Sequence, residues 1–358
     1  MDRRSFLTTS GLATAGLATA GTAAVIASSA PAAAGGPAPV KPPLLRPPML
    51  RAGDKVGVLD LSTAVYDPAV ADRVAAIVQA LGLVPVLSPH LFDRSRAFKA
   101  SVQERLSDLH GFITDPAIRG VFCARGGYGI SEIVDRVDYD LIRRNPKIFL
   151  GFSDPTLLHL AIARKAGLVT FHGRMPGLAK FTPFSLEALR RAVCAPDPLG
   201  ALSNPEEGNP LRPNYPLRTI APGQAGGQLV GGNLSMIMAA MGTPWEIDTR
   251  GAILMVEDVD EAPYAIARML WTLRHAGKLQ AASGIVVGAC AGCDKLTDAS
   301  PYGLNEVFDL VLGDLGIPVF SGLALGHTDE TLTLPLGVQA HLDATARTLT
   351  VLESGVAA

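Results

Sequence analysis

Apolar residues recur along this chain in two alternating rhythms. Short apolar runs bounded by turn residues predict strands at 56–61, 84–87, 120–124 and 148–150. Between them, Val70, Val74, Ile77, Val78 and Leu81 fall on one face of a helix over 68–81, and Val102, Leu106 and Leu109 on one face of a helix over 101–109. Leu141 and Ile142 read as part of a closing loop, and a helix apolar all round follows Pro155. Strands that alternate with helices at this spacing predict a mostly parallel sheet covered on both faces. Residues 181–224 turn to Pro, Asn, Gly and Arg, which predicts a connection carrying one helix near 186–193. Beyond it, helices are expected at 234–241, 262–275 and 303–315, and strands at 251–256, 284–288 and 318–320. The last segments, 331–335, 338–342 and 348–352, read as β structure. The expected fold is α/β. A doubly wound, mostly parallel N-terminal domain (50–180) leads through the connection to a β-rich α/β C-terminal domain (225–358).

The first 34 residues follow neither rhythm. Arg3 and Arg4 precede Phe6 and Leu7, and a weakly hydrophobic Ala/Gly/Thr run ends in Ala32-Ala-Ala34, an A-x-A cleavage pattern. This reads as a twin-arginine-type signal peptide, too poor in Leu, Ile and Phe to make a stable membrane span. Residues 35–49, rich in Pro and Ala, read as a spacer. The protein is therefore expected to be exported to the periplasm or cell surface. The formal charge of −2 offers no basic field for nucleic acid, so a small-molecule or peptide substrate is expected. Four cysteines in 358 residues do not make a disulfide scaffold. The Cys290-Ala-Gly-Cys293 pair lacks the second ligand pair that zinc needs, and reads as two structural thiols or as a pair oxidised after export.

The chemistry concentrates at Gly151-Phe-Ser-Asp-Pro155, between the strand at 148–150 and the apolar helix. So short a turn holds Ser153 with its hydroxyl exposed and facing the N–H groups of the helix, as a nucleophile elbow requires. Pro155 replaces the second glycine of G-x-S-x-G, and the same residues also read as an ordinary helix cap. Arg125-Gly-Gly-Tyr-Gly129 follows the strand at 120–124, so this loop and Ser153 belong at the same sheet edge, where open α/β sheets bind ligands. It reads as an oxyanion or substrate loop, or as a plain glycine-rich connection. A serine nucleophile needs a base and an acid that orients the base. Of the seven histidines, His327 lies in a glycine-flanked loop, His172 lies in Thr-Phe-His-Gly-Arg174, and His159 is placed to pack within its helix. Glu257 ends an apolar strand, where a carboxylate is desolvated unless paired.

Six motifs occur here in one order: Arg125-Gly-Gly-Tyr-Gly129, Gly151-Phe-Ser-Asp154, Thr170-Phe-His-Gly173, Gly231-Gly-Asn-Leu234, Met255-Val-Glu-Asp258 and Gly326-His-Thr328 with Leu332-Thr-Leu-Pro-Leu-Gly337. Together they resemble the serine LD-carboxypeptidase family, which also contains the microcin C immunity peptidases, from about residue 50 to 351. The resemblance implies Ser153 as nucleophile, Glu257 as orienting acid and His327 as general base. It implies an oxyanion hole from the N–H groups of Gly127 and Asp154, no metal or cofactor, and a homodimer. The implied reaction removes the terminal D-Ala of peptidoglycan tetrapeptides at an L-to-D bond. Arg125, Tyr128 and His172 are the expected substrate contacts, with Arg174 a further candidate for the substrate carboxylate. Typical members act on recycled fragments in the cytoplasm, whereas an export signal moves the expected substrate toward wall-derived stem peptides. Two other readings remain: an immunity-type peptidase acting on a peptide-nucleotide toxin, and a non-catalytic muropeptide-binding protein.

Overall fold

The computed structural model describes residues 42–94, 100–206, 214–296 and 301–358; the expected signal peptide and the spacer up to residue 41 lie outside them. The chain enters along the body of the protein. Leu45 bridges Leu168 and Pro48 bridges Ala357, so the end of the spacer is fastened at two places.

The first sheet contains β1 (Lys55–Leu59), β2 (Val84–Leu87), β3 (Ile118–Cys123), β4 (Ile148–Gly151) and β5 (Thr170–His172). These run parallel in the order β2-β1-β3-β4-β5, so the sheet reverses direction of growth at β1. Crossover helices α1 (Ala69–Ala80), α2 (Val102–Thr114), α3 (Tyr139–Arg144) and α4 (Thr156–Lys165) connect successive strands. Buried Val70, Val74 and Val78 seat α1, as the helical spacing required. In α2, Ser101 and Glu104 close a capping box at the start, and the helix runs to Thr114 because Phe112 and Ile113 continue its buried face. The expected loop around Leu141 is instead the short helix α3, capped by the Asp138 carboxylate on the Leu141 N–H and buried through Ile142.

The remaining elements follow in chain order: α5 (Pro183–Cys194), β6 (Gly200–Ala201), β7 (Arg218–Ala221), β8 (Gln224–Asn233), α6 (Leu234–Ala240), β9 (Ile253–Val259) and α7 (Pro263–His275). They are succeeded by α8 (Lys278–Ala281), β10 (Gly284–Ala291), α9 (Leu304–Leu312), β11 (Val319–Ser321), β12 (Leu334–Leu336), β13 (Gln339–Asp343) and β14 (Thr348–Val351). The second sheet has the order β6-β14-β13-β8-β9-β10-β11-β7. Its centre, β8 to β11, is parallel, and its flanks are antiparallel. The fold is thus α/β in both halves, with the second richer in strands.

β12 does not join this second sheet. It crosses back and pairs antiparallel with β5, placing Leu334 opposite His172 and Leu336 opposite Thr170. A segment late in the chain therefore closes the edge of the first sheet and fastens the loop before it, residues 322–333, against the carboxyl edge of that sheet.

Candidate active site

Three loops converge at the carboxyl edge of the first sheet, following β1, β3 and β4. The neighbours β1 and β3 lie on either side of the switch in strand order, where the crevice of a doubly wound sheet opens. Ser153 follows β4 with φ +67°, one of three non-glycine residues with positive φ among the described residues. An L-residue held there is strained, as at a nucleophile elbow. The turn is not a helix cap: Pro155 occupies that position of α4 and no side chain caps the helix.

The Asp154 carboxylate reaches two neighbouring loops. Its Oδ2 accepts from Ser62 Oγ at 2.7 Å and from the Ile130 N–H at 3.0 Å, tying the loops after β1 and β3 to the nucleophile turn. The two loops meet closely: a Cβ on Gly126 would lie 3.0 Å from the Ser153 Cβ, and one on Gly127, whose φ is +130°, would strike the Thr63 side chain. The Gly127 N–H donates to no described residue. Beneath the loops lies Asp60. Burial pushes its carboxyl from 3.8 up to about 7, against the lowering effect of the Ser62 N–H and the Arg125 and Arg105 guanidiniums.

The acid and base arrive from the second sheet. Glu257 lies on β9, fully buried, in register with Asn233 at the end of β8. Its Oε2 is 2.7 Å from Nδ1 of His327, which sits in the loop between β11 and β12. A carboxylate acceptor requires Nδ1 to carry the proton, which leaves Nε2 as the basic nitrogen. Burial raises the Glu257 pKa, and the bond to His327 opposes the rise. Gly326 makes this approach feasible: its φ is +96°, and a Cβ there would fall 2.1 Å from Glu257 Oε2. The imidazole lies against Phe152, the residue before Ser153, with ring centroids 4.7 Å apart. The Ser153 hydroxyl is not hydrogen-bonded to His327 in this structure; such bonds often tighten only when substrate is in place.

Comparison with known proteins agrees in both halves. The LD-carboxypeptidase N-terminal domain matches residues 56–173 and the LD-carboxypeptidase C-terminal domain matches residues 226–342. A "Probable murein peptide carboxypeptidase" of Bacillus subtilis is 37% identical over 308 residues, covering 85% of this chain and 93% of the relative. The chain belongs to the LD-carboxypeptidase family. It is a hydrolase, a serine-type carboxypeptidase. The "Microcin C7 self-immunity protein MccF" of Escherichia coli is 29% identical over 279 residues, 71% of this chain and 79% of that one. Among solved structures, a muramoyltetrapeptide carboxypeptidase from Oxalobacter formigenes superposes with a TM-score of 0.71 at 28% identity, covering 83% and 97% of the two chains.

In this LD-carboxypeptidase the other expected site residues separate. Arg125 is half-buried, and its hydrogen bonds to the Gly126 and Ala64 carbonyls are long, 3.3 and 3.5 Å. Tyr128 is exposed on the glycine loop. His172 is fully buried under Phe152 and presents no atom to solvent, so its expected contact with substrate does not exist in this structure. Arg174 is also buried, and its guanidinium donates to the carbonyl of Thr328, bracing the His327 loop. His159 packs as expected, its Nε2–H donating to the Gly151 carbonyl at 2.9 Å.

A cleft of about 700 Å³ opens beside His327, lined also by Tyr215, Cys290, Phe308, Thr328 and Glu330. Cys290 and Cys293 are free thiols, and Cys293 is buried. Sequence reasoning did not single out Asp60, or Thr156, whose hydroxyl accepts the Asn233 N–H at 3.1 Å and joins the two sheets directly behind the site. Nothing in their local pattern marks them, because the Thr156 partner is 77 positions away and the charges around Asp60, Arg105, Arg125 and Asp154, come from distant parts of the chain. Among the described residues, one group of side chains could hold a metal, His90, Asp93 and Glu104, with ligand atoms within 4.8 Å of one another; it shares no residue with this site.

Proposed function

We propose that this enzyme hydrolyses the L-to-D peptide bond that releases terminal D-Ala from peptidoglycan tetrapeptides, with Ser153, His327 and Glu257 as its triad. The observation that carries the reading is the 2.7 Å contact of buried Glu257 with half-buried His327, held against Phe152 beside a serine strained into an elbow. Ser153 Oγ attacks the carbonyl carbon before D-Ala while His327 Nε2 takes its proton. The N–H groups of Gly127 and Asp154 receive the developing oxyanion. When the C–N bond breaks, His327 returns the proton to the leaving amine. A water molecule, deprotonated by the same nitrogen, then releases the acyl group from Ser153. Glu257 holds the tautomer and stabilises the imidazolium without itself becoming protonated.

A carboxypeptidase must also recognise a free carboxylate. Arg125, with only two long bonds to carbonyls, is the cation available at the glycine loop, and guanidinium fits a carboxylate bidentately. Replacing it by Met should raise KM roughly 10- to 100-fold, with a smaller change in kcat, in steady-state kinetics. The names of the relatives support muropeptides as the substrate class, and the start of the chain supports export by the twin-arginine route. We place the enzyme in the periplasm or at the cell surface, as a homodimer. Cell fractionation and light scattering of the mature protein test these two points.

The similarity to MccF favours one second substrate, an aminoacyl sulfamoyl nucleoside. Purified enzyme offered disaccharide-tetrapeptide and aspartyl sulfamoyl adenosine in parallel should release D-Ala from the first. Cleavage of the nucleoside alone would replace the murein assignment with the immunity-type activity.

A further inference from the structure

Glu257 has two oxygens, and the triad accounts for one. Oε2 is taken by His327, while Oε1 is buried without a hydrogen-bond partner. Facing it is His172, at the end of β5, fully buried and also without a partner on either ring nitrogen. His172 Nε2 lies 3.9 Å from Glu257 Oε1. Buried polar atoms are almost always satisfied, and two complementary orphans facing each other are each other's natural partner. A closure of about 1 Å brings the pair to ordinary hydrogen-bond length.

We propose that His172 is a positioning residue for this reaction: its Nε2–H donates to Glu257 Oε1 and fixes the carboxylate plane in which Oε2 meets His327. The inference rests on the triad reading above. Burial, with His159 and His327 nearby, holds His172 neutral, so the ring supplies one N–H and adds no charge beside the acid. Around Glu257 the other facing groups are Asp258, the next residue on β9, the Cys290 thiol on β10, and Asn233 on β8, whose amide helps to lower the Glu257 pKa. The Asn233 amide donates to Asp258 Oδ1 at 3.1 Å, and Oε1 has no donor within hydrogen-bond distance among the described residues. The ring itself is enclosed by Phe152 at 5.9 Å and His159 at 6.2 Å between centroids. His159 is committed to the Gly151 carbonyl. Leu334 of β12 lies opposite His172 in the ladder, so the segment that closes the first sheet also seats this imidazole.

The proposal fixes the sign of a pH effect. Loss of the donor leaves the Glu257 carboxylate less stabilised, so the Glu257–His327 pair takes up a proton more readily. The acid limb of kcat/KM must then move to higher pH.

The test compares wild type, Ser153→Ala, His172→Phe and His172→Gln on disaccharide-tetrapeptide across pH, with thermal melts of each. Gln places an amide N–H where Nε2 stood; Phe fills the space without a donor. The Phe variant should lose kcat roughly 10- to 100-fold with KM within about twofold, and its acid limb should rise by about one pH unit. Gln should recover most of kcat and return the limb toward its original position. Equal impairment of Phe and Gln with unmoved limbs, or full kcat in Phe, overturns the proposal. An inactive wild type would overturn the functional reading instead. Should the Phe variant fail to fold, ¹⁵N chemical shifts of His172 in the wild type decide the matter. An Nε2–H tautomer supports the donation and an Nδ1–H tautomer contradicts it.

Discussion

Ser153 is held at φ +67° with Gly126 pressed against it, and these two facts make the nucleophile's position sensitive to a single methyl group. Gly126→Ala would put a Cβ 3.0 Å from that of Ser153, so the serine must give by a few tenths of an ångström. The expected result is a kcat loss of roughly tenfold or more with little change in melting temperature, since displacement of about 1 Å at a reacting group costs on the order of 10²-fold. Gly326→Ala is harsher. Its Cβ would overlap Glu257 Oε2 and separate the acid from His327, and kcat should fall by about 10³ or more. The sequence displayed both glycines, one in the candidate oxyanion loop and one beside His327, but not what stands against either of them. What each one makes room for depends on an element that the chain meets 27 positions later or 69 earlier, and no local pattern carries that information.

At the scale of elements, strands and helices with a regular apolar rhythm were legible, because burial on one face leaves its period in the sequence. β1, α1, β4, α4, β9 and α7 lie where the periodicity predicts them, within a few residues. The turn at Ser153 and the glycine loop fall at one sheet edge because β3 and β4 are parallel neighbours, as the alternation implied. β8 was hidden. Its ten residues include four glycines and no alternation, and it is recognisable as a strand only through its pairing with β9 and β13. The path of β12 was also out of reach, since Leu334-Pro-Leu336 does not say which sheet it will join. That strand now has a testable weight. Leu334→Ala removes a fully buried side chain, and should cost about 2–5 kcal/mol in denaturant unfolding. Because β12 follows the His327 loop and seats His172, the same substitution should lower kcat under conditions where the protein remains folded.

For the whole molecule, the buried acid under the site leaves a mark on stability. Asp60 in the folded state holds its proton up to about pH 7, whereas the unfolded chain releases it near 3.8. The folded state therefore binds more protons across that window, so this group's contribution to stability is fully present below about pH 4 and is lost as pH rises toward 7. Asp60→Asn keeps an acceptor for the Ser62 N–H and removes the titration. The variant should gain on wild type by roughly 1–3 kcal/mol at pH 8 and by little at pH 4, measured as denaturation midpoints at both. The division of labour that the motifs suggested, nucleophile from the first half and acid and base from the second, corresponds to two sheets meeting at Asn233 and Thr156. No helix of the described residues is long and apolar enough to cross a membrane. The central claim is that Ser153, oriented by the Glu257–His327 pair, cleaves D-Ala from murein tetrapeptide. Mass spectrometry of disaccharide-tetrapeptide incubated with purified wild type and Ser153→Ala tests it most directly. The account predicts loss of one alanine with wild type and a rate lower by roughly 10⁴ or more with the variant. An intact tetrapeptide with folded wild type, or equal release by Ser153→Ala, would contradict it.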